Sequence, residues 1–166
     1  MKVLVAYFSE TGNTEKLAKA VFEAVESPHK EILPVQDVTG VDGYDVIFAG
    51  FPVHAHNVPR KVEAFLKNLP EGQKVAYFAT HGSLRGGELA VTAFCHALDM
   101  AKNAKILGTF GCRGKVNQKI IDGLMDKLEH QAWVQEAQSA VGHPDEADLE
   151  DARSWVEKMM IKAHAR

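Results

Sequence analysis

Residues 3–8, Val-Leu-Val-Ala-Tyr-Phe, form an unbroken apolar run that stops at Ser-Glu-Thr-Gly-Asn-Thr. A strand with one face in water alternates apolar and polar side chains, whereas one without alternation is covered on both faces. Such a strand needs helices above and below it, and the next segment supplies one. Over 14–26, Leu17, Ala18, Val21, Phe22 and Val25 recur at helical spacing, with Glu15, Lys16, Lys19 and Glu23 on the other side. Pro28 helps to end that helix. Residues 44–50, 74–80 and 104–111 read as further strands. Residues 30–35 read as a weaker one, which Pro34 confines to a sheet edge or to its own end. Helical stripes appear at Val62, Phe65, Leu66 and Leu69, stopped by Pro70 and Gly72. Others appear at Ala90, Phe94, Ala97, Leu98 and Ala101, and at Ile120, Ile121, Leu124, Met125 and Leu128. A fainter helical pattern covers 132–141. Pro144 and Asp145 open a last helix striped by Ala152, Trp155, Val156, Met159, Met160 and Ala163. Strand and helix alternating five times predict one α/β domain over residues 1–166, a three-layer sandwich with a five-stranded parallel sheet.

The chain length, 166 residues, suits about one domain. A net charge of −3 offers no basic excess for a nucleic-acid partner. No apolar stretch reaches membrane-spanning length, and the apolar start is too short for a signal-peptide core. The two cysteines, Cys95 and Cys112, are not needed as a staple at this size and suit a reducing compartment. The expectation is a cytoplasmic protein without a membrane span. Cys95, among Phe94, Leu98 and Met100, reads as a core residue.

Open parallel sheets bind ligands beyond the carboxyl ends of their strands. The loops at 9–14, 51–59, 81–87 and 111–115 are therefore the candidates, and all are rich in glycine, histidine, hydroxyl or amide residues. The first joins a strand to a helix whose opening amides carry partial positive charge and can hold a phosphate. Ser9, Thr11 and Thr14 add hydroxyl donors, and Gly12 permits close approach. No lysine or arginine lies within the loop, which fits an enclosed monophosphate better than a nucleoside triphosphate. The Gly-Lys-Ser/Thr ending of a nucleotide-triphosphate loop and the G-x-G-x-x-G fingerprint are both absent from it. The alternative for 9–14 is an ordinary helix start capped by Thr11 or Asn13.

The SETGNT loop after a first strand, on a chain of repeated strand–helix units, resembles the flavodoxin family over essentially its whole length. GFPVHAHNVPRKVEAFL after the third strand is similar to the family's flavin-flanking loop and following helix, and ATHGS after the fourth to its second flavin loop. The resemblance implies strand order 2-1-3-4-5, non-covalently bound flavin mononucleotide (FMN), and electron transfer to a redox partner protein, either a reductase or an acceptor. It implies that Ser9, Glu10, Thr11, Gly12, Asn13 and Thr14 hold the phosphate. The ring would lie between Pro52, Val53, His54, Ala55, His56 and Asn57 on one side and Thr80, His81, Gly82 and Ser83 on the other, with Gly111 and Cys112 as a third wall. An electron carrier has no catalytic residue in the strict sense, and none is assigned.

The chain departs from the family at several points. Many flavodoxins stack tryptophan and tyrosine on the flavin, but Trp133 and Trp155 lie on later helices and Tyr7, Tyr44 and Tyr77 within strands. The loops offer Phe51, His54, His56 and His81 instead. His54 or His56 is expected to cover one ring face and His81 the ring edge, and a histidine protonated near the N1 atom of the reduced flavin is expected to raise the reduction potential by Coulomb attraction. Residues 54–58 lack the glycine whose peptide flips in the family, and Asn57 tolerates positive φ best among them. The small net charge steers partners weakly, so docking is expected to be apolar or selective, or the protein to act on a small molecule itself. Cys112, near Arg113 and Lys115, is either a reactive thiol of lowered pKa or an inert buried residue.

Two other readings stay open. His54, His56, His81 and Cys112 form a plausible zinc or iron ligand set without flavin. A small FMN-dependent NAD(P)H:quinone-type oxidoreductase is the other; the loops read as short, with no long insertion after the second half of the sheet to build a substrate lid, which favours the carrier. Residues 126–145 read as a surface connection, and the acidic run at 145–151 as the start of a helix.

Overall fold

A computed structural model describes residues 1–165. Five strands, β1 (Lys2–Tyr7), β2 (His29–Pro34), β3 (Val46–Pro52), β4 (Lys74–His81) and β5 (Lys105–Arg113), form one sheet in the order β2-β1-β3-β4-β5. Every pairing is parallel, with Val5 opposite both Ile32 and Phe48, and Phe48 opposite Ala76. The family's strand order is thus met, and Pro34 lies at the end of the edge strand β2, where its missing N–H costs no ladder bond.

The apolar runs of β1, β3 and β4 divide between two cores. Val3, Val5, Val46, Phe48, Ala76 and Phe78 face helices α1 (Asn13–Ala24) and α6 (Glu146–His164). Leu4, Ala6, Ile47, Ala49, Val75, Tyr77 and Ala79 face α2 (Arg60–Lys67) and α3 (Glu88–Met100). Each fully buried valine, leucine, isoleucine or phenylalanine among them contributes roughly 1.5–3 kcal/mol of transfer free energy. Trp155 of α6 sets its ring 5.6 Å from those of Phe48 and Phe110 and so belongs to the core. Asp145 and Asp148 open α6 with a reciprocal capping box.

The strand–helix alternation breaks once. Between β2 and β3 the chain makes only a single 3-10 turn, Val35–Asp37. Residues 35–45 hold Val35, Val38, Thr39, Gly40, Val41 and Gly43, all poor helix formers, so the segment forms no α-helix. It still covers the sheet, because Val35, Val38, Val41 and Tyr44 pack into the α2/α3 core.

The connection from β5 to α6 differs more. Residues 114–145 are neither short nor irregular: they hold α4 (Gln118–Leu124), a 3-10 turn (Leu128–His130) and α5 (Gln131–Gln138). Ile121, Val134 and Ala137 form a third small core there with Val116, Leu124 and Trp133. The helix expected over 120–128 ends at Leu124, just after Gly123, and Leu128 is 81% exposed. A folded insert therefore exists where the sequence reading saw no long insertion, so loop length no longer argues for a carrier over an enzyme. No described helix is long and apolar enough to cross a membrane.

Candidate functional site

The carboxyl ends of β1, β3, β4 and β5 bring the four expected loops to one edge of the sheet. At the first, Phe8 N–H donates to Gly50 O at 2.9 Å, which ties the start of the loop to β3. Gly12 then takes φ +92°, and its N–H donates to Ser9 Oγ at 3.1 Å. No side chain caps α1. Asn13 spends its amide on Lys115 O (2.9 Å) and Thr11 Oγ1 (3.3 Å). The ordinary capped start is thus excluded, and the amides of the first turn of α1 are left to water or to an anion. Beneath them, Thr14 Oγ1 and Thr80 Oγ1 share a buried hydrogen bond of 2.8 Å. Those two hydroxyls tie α1 to β4 and are not directed outward.

Glu10, the loop's only charged residue, faces His54 Nε2 at 3.2 Å. Its carboxylate is engaged across the mouth of the site with the second loop. There, His54 and Asn57 exchange backbone hydrogen bonds of 3.0 and 2.8 Å around a two-residue turn. Ala55 (φ +43°) and His56 (φ +67°) occupy its centre. Such a turn requires positive φ at both central positions. The strain therefore falls on Ala55 and His56, not on Asn57 as the sequence suggested. Asn57 Oδ1 instead faces His96 Nδ1 at 2.8 Å. Non-glycine residues held in the left-handed region cost roughly 1–2 kcal/mol each and cluster at functional sites.

The third loop follows β4. His81 is 5% exposed, and its Nδ1 donates to Ser83 O at 3.0 Å, which leaves Nε2 as an acceptor. That Nε2 and the Ser83 hydroxyl are buried without a partner. Nε2 and the Phe94 ring both lie against Gly111. Burial first, then Arg113 and Arg85, push the His81 pKa below the usual histidine value, against the opposing pull of the Ser83 carbonyl bond. His81 is therefore neutral near pH 7 and does not supply a protonated imidazole. The consequence for stability has a fixed sign. The unfolded chain takes up a proton near the ordinary value of 6.5 while the folded one resists. Stability contributed here is complete above about pH 6.5 and falls as pH drops below it, by at most about 1.4 kcal/mol per pH unit. Urea melts between pH 5 and 8 should show a shallower dependence in His81→Asn than in the parent chain.

At the fourth loop, Gly111 borders His81, and Gly114 packs against the Asn13 side chain, where a Cβ would meet Asn13 Nδ2 at 3.0 Å. Cys112 points the other way, fully buried in the α1/α6 core. Burial and then Asp148 push its thiol up to about 12, the reverse of a reactive, lowered pKa. Arg113 is turned away to Glu136 O (2.6 Å) and Ser139 Oγ (2.7 Å). Cys95 is exposed on α3, not in the core, because Ala90, Ala93 and Ala97 form that helix's buried stripe. The proposed metal set is not assembled. Among the described residues only His143, Asp145 and Asp148 bring three possible ligand atoms within 4.8 Å of one another. That trio is the start of α6, with His143 Nδ1 at 2.6 Å from Asp148 Oδ2.

Sequence reading missed Arg85 and Glu136. Arg85 lies over the Phe110 ring, donates to Gly111 O at 3.1 Å and pairs with Asp151 at 2.5 Å. Glu136 accepts from Leu84 N–H at 3.1 Å. Neither has a local signal, since the Arg85 contacts depend on how β5 and α6 pack and the Glu136 contact on how residues 114–145 fold back.

The flavodoxin domain model matches residues 4–157. The chain belongs to the flavodoxin family. This family's cofactor is FMN. The chain is 29% identical over 175 residues to the flavodoxin-like domain-containing protein BilS of Clostridioides difficile, with 98% of each chain covered. A short-chain flavodoxin associated with a non-canonical PDU bacterial microcompartment superposes with a TM-score of 0.67 at 15% identity, over 98% of this chain and 99% of the other. A flavoprotein from Lactobacillus acidophilus, in complex with FMN, has a TM-score of 0.53 at 19% identity and covers 77% and 98% of the two chains.

Proposed function

We propose that this flavodoxin-family chain binds FMN at the loop edge and passes electrons between that flavin and a redox partner protein. The observation that carries the reading is the opening of α1, where Gly12 is left-handed and no side chain occupies the first-turn amides. With the carboxylate of Glu10 drawn to His54 and that of Glu15, in the first turn of α1, paired with Lys19, that cradle suits a dianionic phosphate without a cationic side chain. Ser9, Glu10, Thr11, Gly12, Asn13 and Thr14 form its wall, with Thr14 acting from beneath. Pro52, Val53, His54, Ala55, His56 and Asn57 form one side of the ring site, and Thr80, His81, Gly82 and Ser83 the other. The buried, unpartnered Ser83 hydroxyl and His81 Nε2 fit a loop built to meet a polar ligand edge. Gly111 backs that loop, while Cys112 supplies packing below it and no contact.

When bound, FMN supplies the electron-accepting and electron-donating chemistry. The protein's part is to bind, orient and shield it. The tight turn at 54–57 and the neutral His81 leave the ring site with few charges of its own.

The reading is tested by adding FMN to apo-protein. A one-to-one yellow complex with quenched flavin fluorescence is expected, with far weaker binding of riboflavin. Absence of saturable FMN binding would overturn it. One observation favours a second reading, in which the chain reduces a small substrate such as a quinone with NAD(P)H. The insert 114–145 closes over the ring loop, with Val116, Trp133 and Ala137 against Gly82, as a substrate wall would. NAD(P)H oxidation by the FMN-loaded chain with a quinone present, and no partner protein, decides between the two.

A further inference from the structure

The third core, residues 116–137, does not face outward. Gly82 of the ring loop lies so close to it that a Cβ there would stand 2.4 Å from Val116 Cγ2 and 3.6 Å from Trp133. One polar contact joins the insert to the backbone of the 82–87 loop. Leu84 N–H donates to Glu136 Oε2 at 3.1 Å. Among the described residues the Glu136 carboxylate makes no ion pair and no other hydrogen bond. Its backbone is fixed separately, because Glu136 O accepts from Arg113 at 2.6 Å and from Ser139 Oγ at 2.8 Å. A carboxylate on an anchored helix, engaged with a single loop amide, acts on that loop and not on the helix that carries it.

We infer that Glu136 is a positioning residue for the flavin-ring wall, holding the 82–84 backbone in its ligand-ready shape through Leu84 N–H. This rests on the FMN reading above. The bond is made before any ligand arrives, so the loop's ordering cost is met on folding and is not charged to binding. What matters is an acceptor at this place, and a glutamine carbonyl serves nearly as well as a carboxylate. The affected contact is to the ring and not to the phosphate, so FMN and riboflavin should lose affinity by the same factor.

The test compares Glu136→Ala and Glu136→Gln in the full chain by flavin-fluorescence titration with FMN and with riboflavin. Thermal melts of the apo-proteins show whether each variant folds. Loss of one exposed hydrogen bond that shapes the loop predicts affinity about fivefold weaker for both ligands in Glu136→Ala. Glu136→Gln should restore at least half of that loss on a logarithmic scale. Unchanged or tighter binding by a folded Glu136→Ala overturns the proposal, as does a Gln variant as weak as the Ala one. If Glu136→Ala fails to fold, the Gln variant carries the test against Glu136→Lys, which removes the acceptor but keeps the stem. Failure of the parent chain to bind FMN is a different result, which overturns the FMN reading itself.

Discussion

Replacing Gly50 by alanine should cost this protein about 3 kcal/mol of stability, at the upper end of what overpacking a core exacts. A Cβ at that position would stand 2.1 Å from Phe78 Cε2 and Cζ. Phe78 is fully buried between the sheet and helices α1 and α6, so its ring has no free volume to retreat into. The strands must separate or the ring must leave its rotamer. The effect also reaches the site. Gly50 O receives Phe8 N–H at the mouth of the phosphate loop, and two residues later β3 ends at Pro52, where the 53–58 turn begins. A shifted β3 therefore displaces both loops together, and FMN affinity should fall along with the urea midpoint. Pairing Gly50→Ala with Phe78→Leu should recover part of both losses, since the smaller side chain vacates the space the methyl needs. A loss below 1 kcal/mol in urea melts would show that the β3–β4 contact is slacker than its geometry implies.

Most of the sheet was legible because its physics is local. The unbroken apolar runs of β1, β3 and β4 can only be strands covered on both faces, and Pro34 marked β2 as an edge. The strand–loop–helix opening at 9–14 was legible too, since a glycine and hydroxyls between a strand and a helix are a short-range pattern. What was illegible depended on partners distant in sequence. Cys112 sits beside Arg113 in the chain, but strand alternation points the two to opposite faces, so the cation never reaches the thiol. His81 carries a polar label, yet alternation along β4 puts it beneath α3, where burial strips it of charge. Asn57 looked like the residue for positive φ, but the two-residue turn fixes which positions bear it, and these are Ala55 and His56. Within 114–145 the helical patterns over 120–128 and 132–141 were legible and correspond to α4 and α5, whereas the packing of those short helices on the rest of the fold was not. The insert's small core forms within the segment, but its seat on Gly82 of the 82–87 loop is a contact that no window of sequence contains.

The largest functional effect should come from a single carboxylate placed in the phosphate cradle. Thr11 lies one residue before the left-handed Gly12, exposed, with Asn13 Nδ2 3.3 Å from its hydroxyl. Thr11→Asp puts a charge of like sign within a few ångströms of a bound phosphate. Two unit charges 4 Å apart near a protein surface repel by about 4 kcal/mol, and a phosphate monoester carries between one and two such charges at neutral pH. Screening by water and the freedom of the aspartate to rotate away reduce this, so a loss in FMN affinity of about a hundredfold or more is expected. Aspartate is also a good capping residue, and its carboxylate can accept from the uncapped amides of α1 that the phosphate would otherwise occupy. The variant should therefore fold at least as well as the parent, which separates this loss from unfolding. Riboflavin, with the same ring and no phosphate, should bind both proteins alike. Raising the ionic strength should narrow the gap for FMN and leave riboflavin unmoved. If FMN instead binds Thr11→Asp as tightly as it binds the parent chain, the phosphate lies elsewhere, and the opening turn of α1 is only the start of a helix.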